Sequence, residues 1–334
     1  MDILVIGGTR FLGRAIVEAA LNAGHHVTMF NRGRSNADLF PQVEKLQGDR
    51  MNADDLAQFN GRTWDAVVDT CGYVPRAVRL TAEALRDSVK QYVFISTISV
   101  YGPPLSETLD ETGRVQPMPE NVAPDTEEVT GETYGPLKVL CEQTAESIFP
   151  GRTLHVRSGL IVGPHDPTDR FTYWPVRIAR GGDVLCPPGN SPIQIIDARD
   201  QAAWIIRMIE AGKSGVYNVT GPAQPLTFGE VTRTCNVVGG SAANLIEADA
   251  DFLLEKEVGP WVDLPLWLPE SDADMSRIQI GKALADGLTF RPLEDTVRDT
   301  LAWFDSERGR DGELKYGIKP DREAEVLAAW RERA

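Results

Sequence analysis

The N-terminal stretch Asp2-Ile3-Leu4-Val5-Ile6-Gly7-Gly8-Thr9-Arg10-Phe11-Leu12-Gly13 constrains this chain more than any other segment. A β-branched apolar run ends at Gly7. Leu12, Ile16, Val17, Ala20 and Leu21 then recur at helical spacing up to Gly24, where a helix would stop. The alternation continues. Short apolar runs at residues 3–6, 27–30, 66–68 and 92–95 are separated by helical patterns, among them 54–59 and 76–89. Strands that are apolar on both faces and alternate with helices predict an α/β chain with a doubly wound parallel sheet. A further helix is expected at 134–148 and a strand at 154–157.

At 334 residues the chain is long enough for about two domains. Beyond residue 165 the composition turns to Gly163-Pro164 and Pro187-Pro188-Gly189 punctuation, with tryptophans late, at 261, 267 and 303. The expected division is a nucleotide-binding sheet domain over 1–165, with returns near 190–220, and a smaller α+β substrate lobe mainly over 166–334. Residues 103–132 hold five prolines, eight acidic residues and one basic residue, Arg114, and read as a loop or lid.

Charge narrows the partners. With 34 Lys and Arg against 49 Asp and Glu the net charge is -15, a poor basis for neutralising nucleic-acid phosphates or docking on anionic lipid. No apolar stretch reaches membrane-spanning length, and MDILVIGG has no basic leader region. Cys71, Cys141, Cys186 and Cys235 lie far apart with no CxxC spacing, and the four histidines form no metal pattern. A cytoplasmic protein with reduced thiols, no metal and no membrane is expected.

A glycine turn between the first strand and the first helix is a place for a dinucleotide pyrophosphate. The helix N-terminus offers free N–H groups there. Gly7, Thr9, Arg10, Phe11, Leu12 and Gly13 are the candidates, against the plainer reading of an ordinary tight turn. The second strand ends in Asn31-Arg32-Gly33-Arg34. No Asp or Glu stands there to bond ribose hydroxyls, whereas Arg10, Arg32 and Arg34 can surround a 2′-phosphate. The expected cofactor is therefore NADP(H) rather than NAD(H), with Asn31 at the same strand end; the alternative is surface arginines. Asp49 either accepts from the adenine amino group or caps a turn. Thr70 and Cys71, just past the strand at 66–68, complete the expected cofactor set.

Tyr134 and Lys138 stand four apart, which on a helix places them on one face. A nearby ammonium stabilises phenolate, so the tyrosine can exchange a proton near neutral pH. Pro136 is tolerated only in a first helical turn, so the helix must begin near the tyrosine. Upstream, Ser96-Thr97-Ile98-Ser99-Val100-Tyr101-Gly102 ends a strand with hydroxyls. Thr97 either holds the substrate oxygen against Tyr134 or satisfies a local backbone group.

Together these segments resemble the extended short-chain dehydrogenase/reductase superfamily, the NAD(P)-dependent epimerase/dehydratase group. The resemblance runs through GGTRFLG, STISVYG and YGPLK, then Arg157–Pro164 and Ile196–Asp200, over most of the chain. It implies a Rossmann domain, a smaller C-terminal substrate lobe and hydride transfer at the nicotinamide. Thr97, Tyr134 and Lys138 take the catalytic roles by position, with Lys138 also holding the nicotinamide ribose. Gly7, Arg10 and Gly13 take the phosphate-turn positions. A homodimer follows by analogy.

The GGTRFLG form is also similar to an atypical branch that includes chloroplast stem-loop RNA-binding proteins. That branch lacks the Tyr/Lys pair, which this chain keeps. It supplies the alternative of an RNA-binding protein, and a silent NADP(H) sensor is the third. Three departures bear on the substrate. Nucleotide-sugar members carry Asn where Leu160 stands, Arg where Ile193 stands, and often a second Arg in the segment matching Pro260–Leu264. An apolar side chain cannot pair with a diphosphate. Ile98 and Ser99 stand where dehydratases have Asp-Glu. The expectation is an oxidoreductase or epimerase acting on a carbonyl or hydroxyl of a small carbohydrate-like molecule that is not a nucleotide sugar. Trp174, Trp261 and Trp267 either line its pocket or pack in a core.

Overall fold

The apolar runs of the N-terminal half become the central strands of a parallel sheet. A computed structural model describes residues 1–102, 109–123, 125–240, 243–271 and 277–333. The chain forms two compact units. The first is Met1–Gly159, Ala198–Thr220 and Ile278–Thr289; the second is Leu160–Asp197, Gly221–Arg277 and Phe290–Ala334. Strands and helices are numbered along the chain.

The first unit has strands β1 (Asp2–Ile6), β2 (His26–Asn31), β3 (Glu44–Gln47), β4 (Trp64–Asp69), β5 (Val89–Thr97), β6 (Thr153–Ser158) and β11 (Gly215–Val219). Among the described residues they make a seven-stranded sheet in the order β11-β6-β5-β4-β1-β2-β3, every pair parallel. Its helices are α1 (Phe11–Asn22), α2 (Ala53–Leu56), α3 (Pro75–Leu85), α4 (Tyr134–Ile148), α6 (Ala198–Glu210) and α9 (Gly281–Ala285). α1 packs with α6, and α3 with α4. Leu4, Ile6, Val67, Tyr92 and Phe94 point into the core shared with Val78 and Leu85 of α3 and Cys141 and Ala145 of α4. This is why the runs at 3–6, 66–68 and 92–95 within β1, β4 and β5 are apolar on successive residues: both faces are covered. The chain winds one way from β1 to β3 and the other way from β4 to β11. The order reverses between β1 and β4, and at such a point the carboxyl ends of the strands leave a crevice for a ligand.

Three expectations need correction. The helix read over 76–89 ends at Leu85. Val89 opens β5 and pairs with Trp64, after a turn in which Ser88 N donates to Leu85 O. The helical pattern at 54–59 is α2, capped by the Asn52 side chain on Asp54 N, followed by a 3₁₀ turn over Ala57–Phe59. The 103–132 segment is not wholly a peripheral loop. Leu109 is buried and bridges Ile278, while Val115 pairs antiparallel with Tyr101. Residues 103–108 and 124 lie outside the described residues.

The return at 278–289 is held by Asp286. Its carboxylate accepts from Lys213 Nζ (2.7 Å) and Tyr217 Oη (2.8 Å), and its carbonyl from Trp204 Nε1 (3.1 Å).

The second unit contains β7 (Leu160–Val162), β8 (Asp183–Cys186), β9 (Pro192–Ile193), β10 (Ile195–Asp197), β12 (Leu226–Thr227) and β13 (Asn244–Glu247), paired as β10–β7, β12–β9 and β13–β8. Around them lie α5 (Tyr173–Ala179), α7 (Phe228–Val238), α8 (Ala250–Glu255), α10 (Leu293–Arg308) and α11 (Pro320–Arg333). Trp174 and Trp267 are fully buried in this core, Trp174 edge-on to Tyr173 and Phe228, so neither lines an open pocket wall. Trp261 is partly buried, under the Arg170 guanidinium at 5.3 Å. No helix of the described residues is long and apolar enough to cross a membrane.

Candidate active site

The glycine turn is built on positions where an added side chain would crowd its neighbours. Gly7 has φ +104°, and a Cβ there would lie 2.4 Å from Thr70 Oγ1. A Cβ on Gly13 would lie 3.0 Å from the Gly8 amide nitrogen, so α1 starts directly against the turn. The first residue of α1, Phe11, takes φ +38°, in the left-handed region. Arg10 at the N-cap contributes no side-chain cap, and the first turn of α1 carries no acidic residue. The first N–H groups and the positive end of the helix dipole are therefore left for an anion, which fits a pyrophosphate. Leu12 is buried beneath, and Thr9 is buried with its carbonyl accepting from Asn36 Nδ2 (2.8 Å).

The structure gives the other expected cofactor residues distinct tasks. Asn31 braces the turn: its amide donates to Gly7 O (3.0 Å) and its Oδ1 accepts from Gly33 N (2.9 Å). Arg10, Arg32 and Arg34 are exposed, and among the described residues none has a carboxylate within ion-pairing distance. Asp49 caps a turn, accepting from Met51 N (3.0 Å). Thr70 Oγ1 donates to Ile6 O (2.7 Å), and Cys71 sits beside it, its thiol pushed up by burial.

The expected acid–base residues come from two neighbouring elements. β5 ends at Thr97, whose Oγ1 accepts from Ser99 N (3.1 Å) and donates to Ser99 Oγ (3.2 Å), closing a 3₁₀ turn over Ile98–Val100. Thr97 thus does satisfy a local backbone group. α4 begins at Tyr134, which places Pro136 in the first turn, where its missing N–H costs no helical bond. A Cβ on Gly135 would lie 2.1 Å from Ser99 O, so glycine alone lets the first turn of α4 press onto the turn that holds Thr97.

Lys138, one helical turn on, is buried and donates to Gly72 O (2.9 Å) and Ile95 O (2.6 Å), spanning the exits of β4 and β5. Its ammonium lies 4.1 Å from the Phe94 ring centroid and 5.7 Å from that of half-exposed Tyr73. Tyr134, partly buried, shares its helix face.

Burial lowers the Lys138 pKa to about 8. Below that value the lysine is charged in both folded and unfolded chains and the burial penalty is full. From about pH 8 toward the ordinary lysine value of about 10.4 the unfolded chain holds more protons, so stability rises with pH. The stability of the wild type relative to Lys138→Met should therefore improve, by at most about 3 kcal/mol, across that window. Paired urea midpoints between pH 7 and 10.5 would show this. A difference that stays flat would remove the buried-ammonium account.

Sequence reasoning missed three features here. Arg50 and Asp69 form a buried bidentate pair beneath the β4 exit (2.6 and 2.7 Å), and Tyr92 Oη donates to the same carboxylate at 2.7 Å. A charge at the end of the apolar Ala66-Val67-Val68 run was the available signal. Tyr73, near Lys138, and Gln116, at the start of α4, carried none.

A family model described as "NAD dependent epimerase/dehydratase family" matches residues 3–220. The chain is similar to the chloroplast stem-loop binding protein of 41 kDa b of Arabidopsis thaliana, 25% identical over 71% of this chain and 63% of that protein, so the match spans less than two thirds of that relative. It is also similar to the 2'-dehydrokanamycin reductase of Streptomyces kanamyceticus, 25% identical over 99% of this chain and 92% of that one. The fold matches that of the UDP-glucose 4-epimerase of Thermus thermophilus in complex with NAD, with a TM-score of 0.65 and 19% identity over 92% of this chain and all of that one. With its parallel sheet, its glycine turn and its matched span of residues 3–220, the chain belongs to the NAD dependent epimerase/dehydratase family.

Proposed function

We propose that this protein is an NADP(H)-dependent oxidoreductase acting on a carbonyl or hydroxyl of a small, polyhydroxylated or cyclic molecule without a nucleotide-diphosphate handle. The observation that carries the reading is the contact of the first turn of α4 with the Ser99 carbonyl. That contact brings the start of α4, where Tyr134 stands, to the turn that holds Thr97, while Lys138 one turn on seats its ammonium on the Ile95 and Gly72 carbonyls. In reduction Tyr134 gives its proton to the substrate oxygen. The charged Lys138 favours the phenolate left behind, and Thr97 orients that oxygen. The nicotinamide, when bound, supplies or takes the hydride. An epimerase would use the same groups in both directions.

Reduction of a ketone is supported by the likeness to a reductase over nearly the whole chain. The absence of a diphosphate handle is supported by apolar Leu160 and by Ile193, which is 2% exposed in the core of the second unit. NADP(H) over NAD(H) is supported by the exposed arginines at the turn and at the end of β2. Wild type should bind NADP⁺ at least tenfold tighter than NAD⁺, and Arg32→Ala with Arg34→Ala should erase most of that difference. Calorimetric titration of both nucleotides decides it, since equal affinity in the wild type removes the 2′-phosphate assignment. Substrate class is tested by following nicotinamide absorbance over a panel of cyclic ketones and sugars, neutral, amine-bearing and nucleotide-linked. Turnover confined to nucleotide sugars would overturn that part. RNA binding rests on the stem-loop relative and is disfavoured by the net charge of -15. Tight, salt-dependent retention of RNA in a filter titration would revive it.

A further inference from the structure

The segment of the acidic insert that returns to the turn of Thr97 ends on one side chain with an unusual position. Gln116 N donates to Val100 O (2.8 Å), extending the pairing of Val115 with Tyr101. Its side-chain Nε2 then donates to Ser99 O at 2.5 Å. Ser99 O is the carbonyl against which α4 begins, and a Cβ on Gly135 would lie 2.0 Å from Gln116 Nε2 as well. A Cβ on Gly102 would likewise lie 2.5 Å from Gln116 Cβ. The amide is wedged where the Thr97 turn, the first turn of α4 and the insert meet, with no spare space on two sides. The insert also delivers the chain into α4: Tyr134 N donates to Thr130 O (3.0 Å), and Thr133 Oγ1 to Glu128 O (2.6 Å).

We infer that Gln116 is a positioning residue for the proposed reaction: its hydrogen bond to the Ser99 carbonyl fixes the spacing between the Thr97 hydroxyl and the Tyr134 phenol. The inference rests on the oxidoreductase reading. The donor is needed because among the described residues no other side chain bonds Ser99 O, and a carbonyl so placed draws in water or shifts the turn. Misplacement of reacting groups by about 1 Å is enough to cost around a hundredfold in rate.

Two variants of the full chain test it. Gln116→Met keeps the volume and removes the donor. It should lower kcat about 10- to 100-fold and leave the affinity for the dinucleotide within twofold. Gln116→Glu presents a carboxylate to the carbonyl at neutral pH and a donating carboxyl when protonated. Its activity should recover toward wild type as pH falls, giving a limb absent from both wild type and Gln116→Met. A merely structural role would not produce that limb. Wild-type kcat in Gln116→Met, or parallel pH profiles for the two variants, overturns the inference.

A wild type that turns over none of the carbonyl panel would overturn the oxidoreductase reading by itself. Gln116 is then read without substrate, by the ultraviolet phenolate titration of Tyr134, taken as the difference from the matching Tyr134→Phe protein. A midpoint moved by half a unit or more in the Gln116→Met background keeps the coupling; an unmoved midpoint ends it.

Discussion

Tyr134→Phe should abolish turnover, lowering kcat by a factor of about 10² to 10⁴, while the dinucleotide binds as tightly as in the wild type. The substitution removes one oxygen from a partly buried ring and leaves the helix start intact, because Gly135 and Pro136 are untouched. What disappears is the group proposed to exchange a proton with the substrate oxygen. The loss should fall on kcat and on kcat/KM together, the pattern of an interaction made only in the transition state. Single-turnover absorbance at the nicotinamide, with calorimetry for nucleotide binding, separates the two effects. Tyr73 is the internal control. Its ring lies 5.7 Å from the Lys138 ammonium and is half exposed, so it is another phenol beside that charge. Residual activity carried by Tyr73 vanishes in the variant lacking both phenols. Wild-type turnover in Tyr134→Phe would mean that the geometry at the start of α4 serves folding alone.

Much of this candidate site was legible in the sequence because its parts are local. The turn from Gly7 to Gly13, the Thr97 hydroxyl at a strand end and the Tyr134–Lys138 pair each announce themselves within a few residues. Pro136 even dates the start of α4, since a proline at that place forbids an earlier one. What failed depends on distant partners. Val89 continues the helical pattern of α3 as well as it opens a strand, and only its ladder partner Trp64 decides. The Pro-rich, acidic insert reads as a lid by composition, yet Val115 and Gln116 pair with Val100 and Tyr101 across a stretch that composition cannot see. The return at 278–289 is set by Asp286, whose partners Trp204, Lys213 and Tyr217 lie about seventy or more residues away in sequence. Tryptophans were ambiguous for the opposite reason: Trp174 and Trp267 satisfy a core and a pocket equally until burial is known.

The buried pair beneath the β4 exit gives the largest expected effect on stability. Asp69 is completely buried and Arg50 nearly so, joined through both carboxylate oxygens, with Tyr92 Oη and Cys71 N donating to the same group. Burial alone would raise the Asp69 pKa, but the adjacent guanidinium outweighs it and holds the carboxyl below the usual aspartate value. A carboxyl lowered in this way contributes stability above its unfolded value of about 3.9, and that contribution is lost as pH falls through the folded value. Asp69→Asn leaves the Arg50 charge in the interior without its counter-ion, and should cost about 3–5 kcal/mol, a large share of what a domain has. Removing both charges with Arg50→Met and Asp69→Leu should cost less than Asp69→Asn alone, because no charge is then stranded. Urea midpoints of the three proteins order these cases. The loss should also reach the chemistry. Asp69 shapes the turn that ends in Gly72, and the Gly72 carbonyl is one of two that seat the Lys138 ammonium. Asp69→Asn should therefore lower kcat even at temperatures where it stays folded, and an Asp69→Asn protein with a wild-type urea midpoint would show that this pair does not hold the floor of the site.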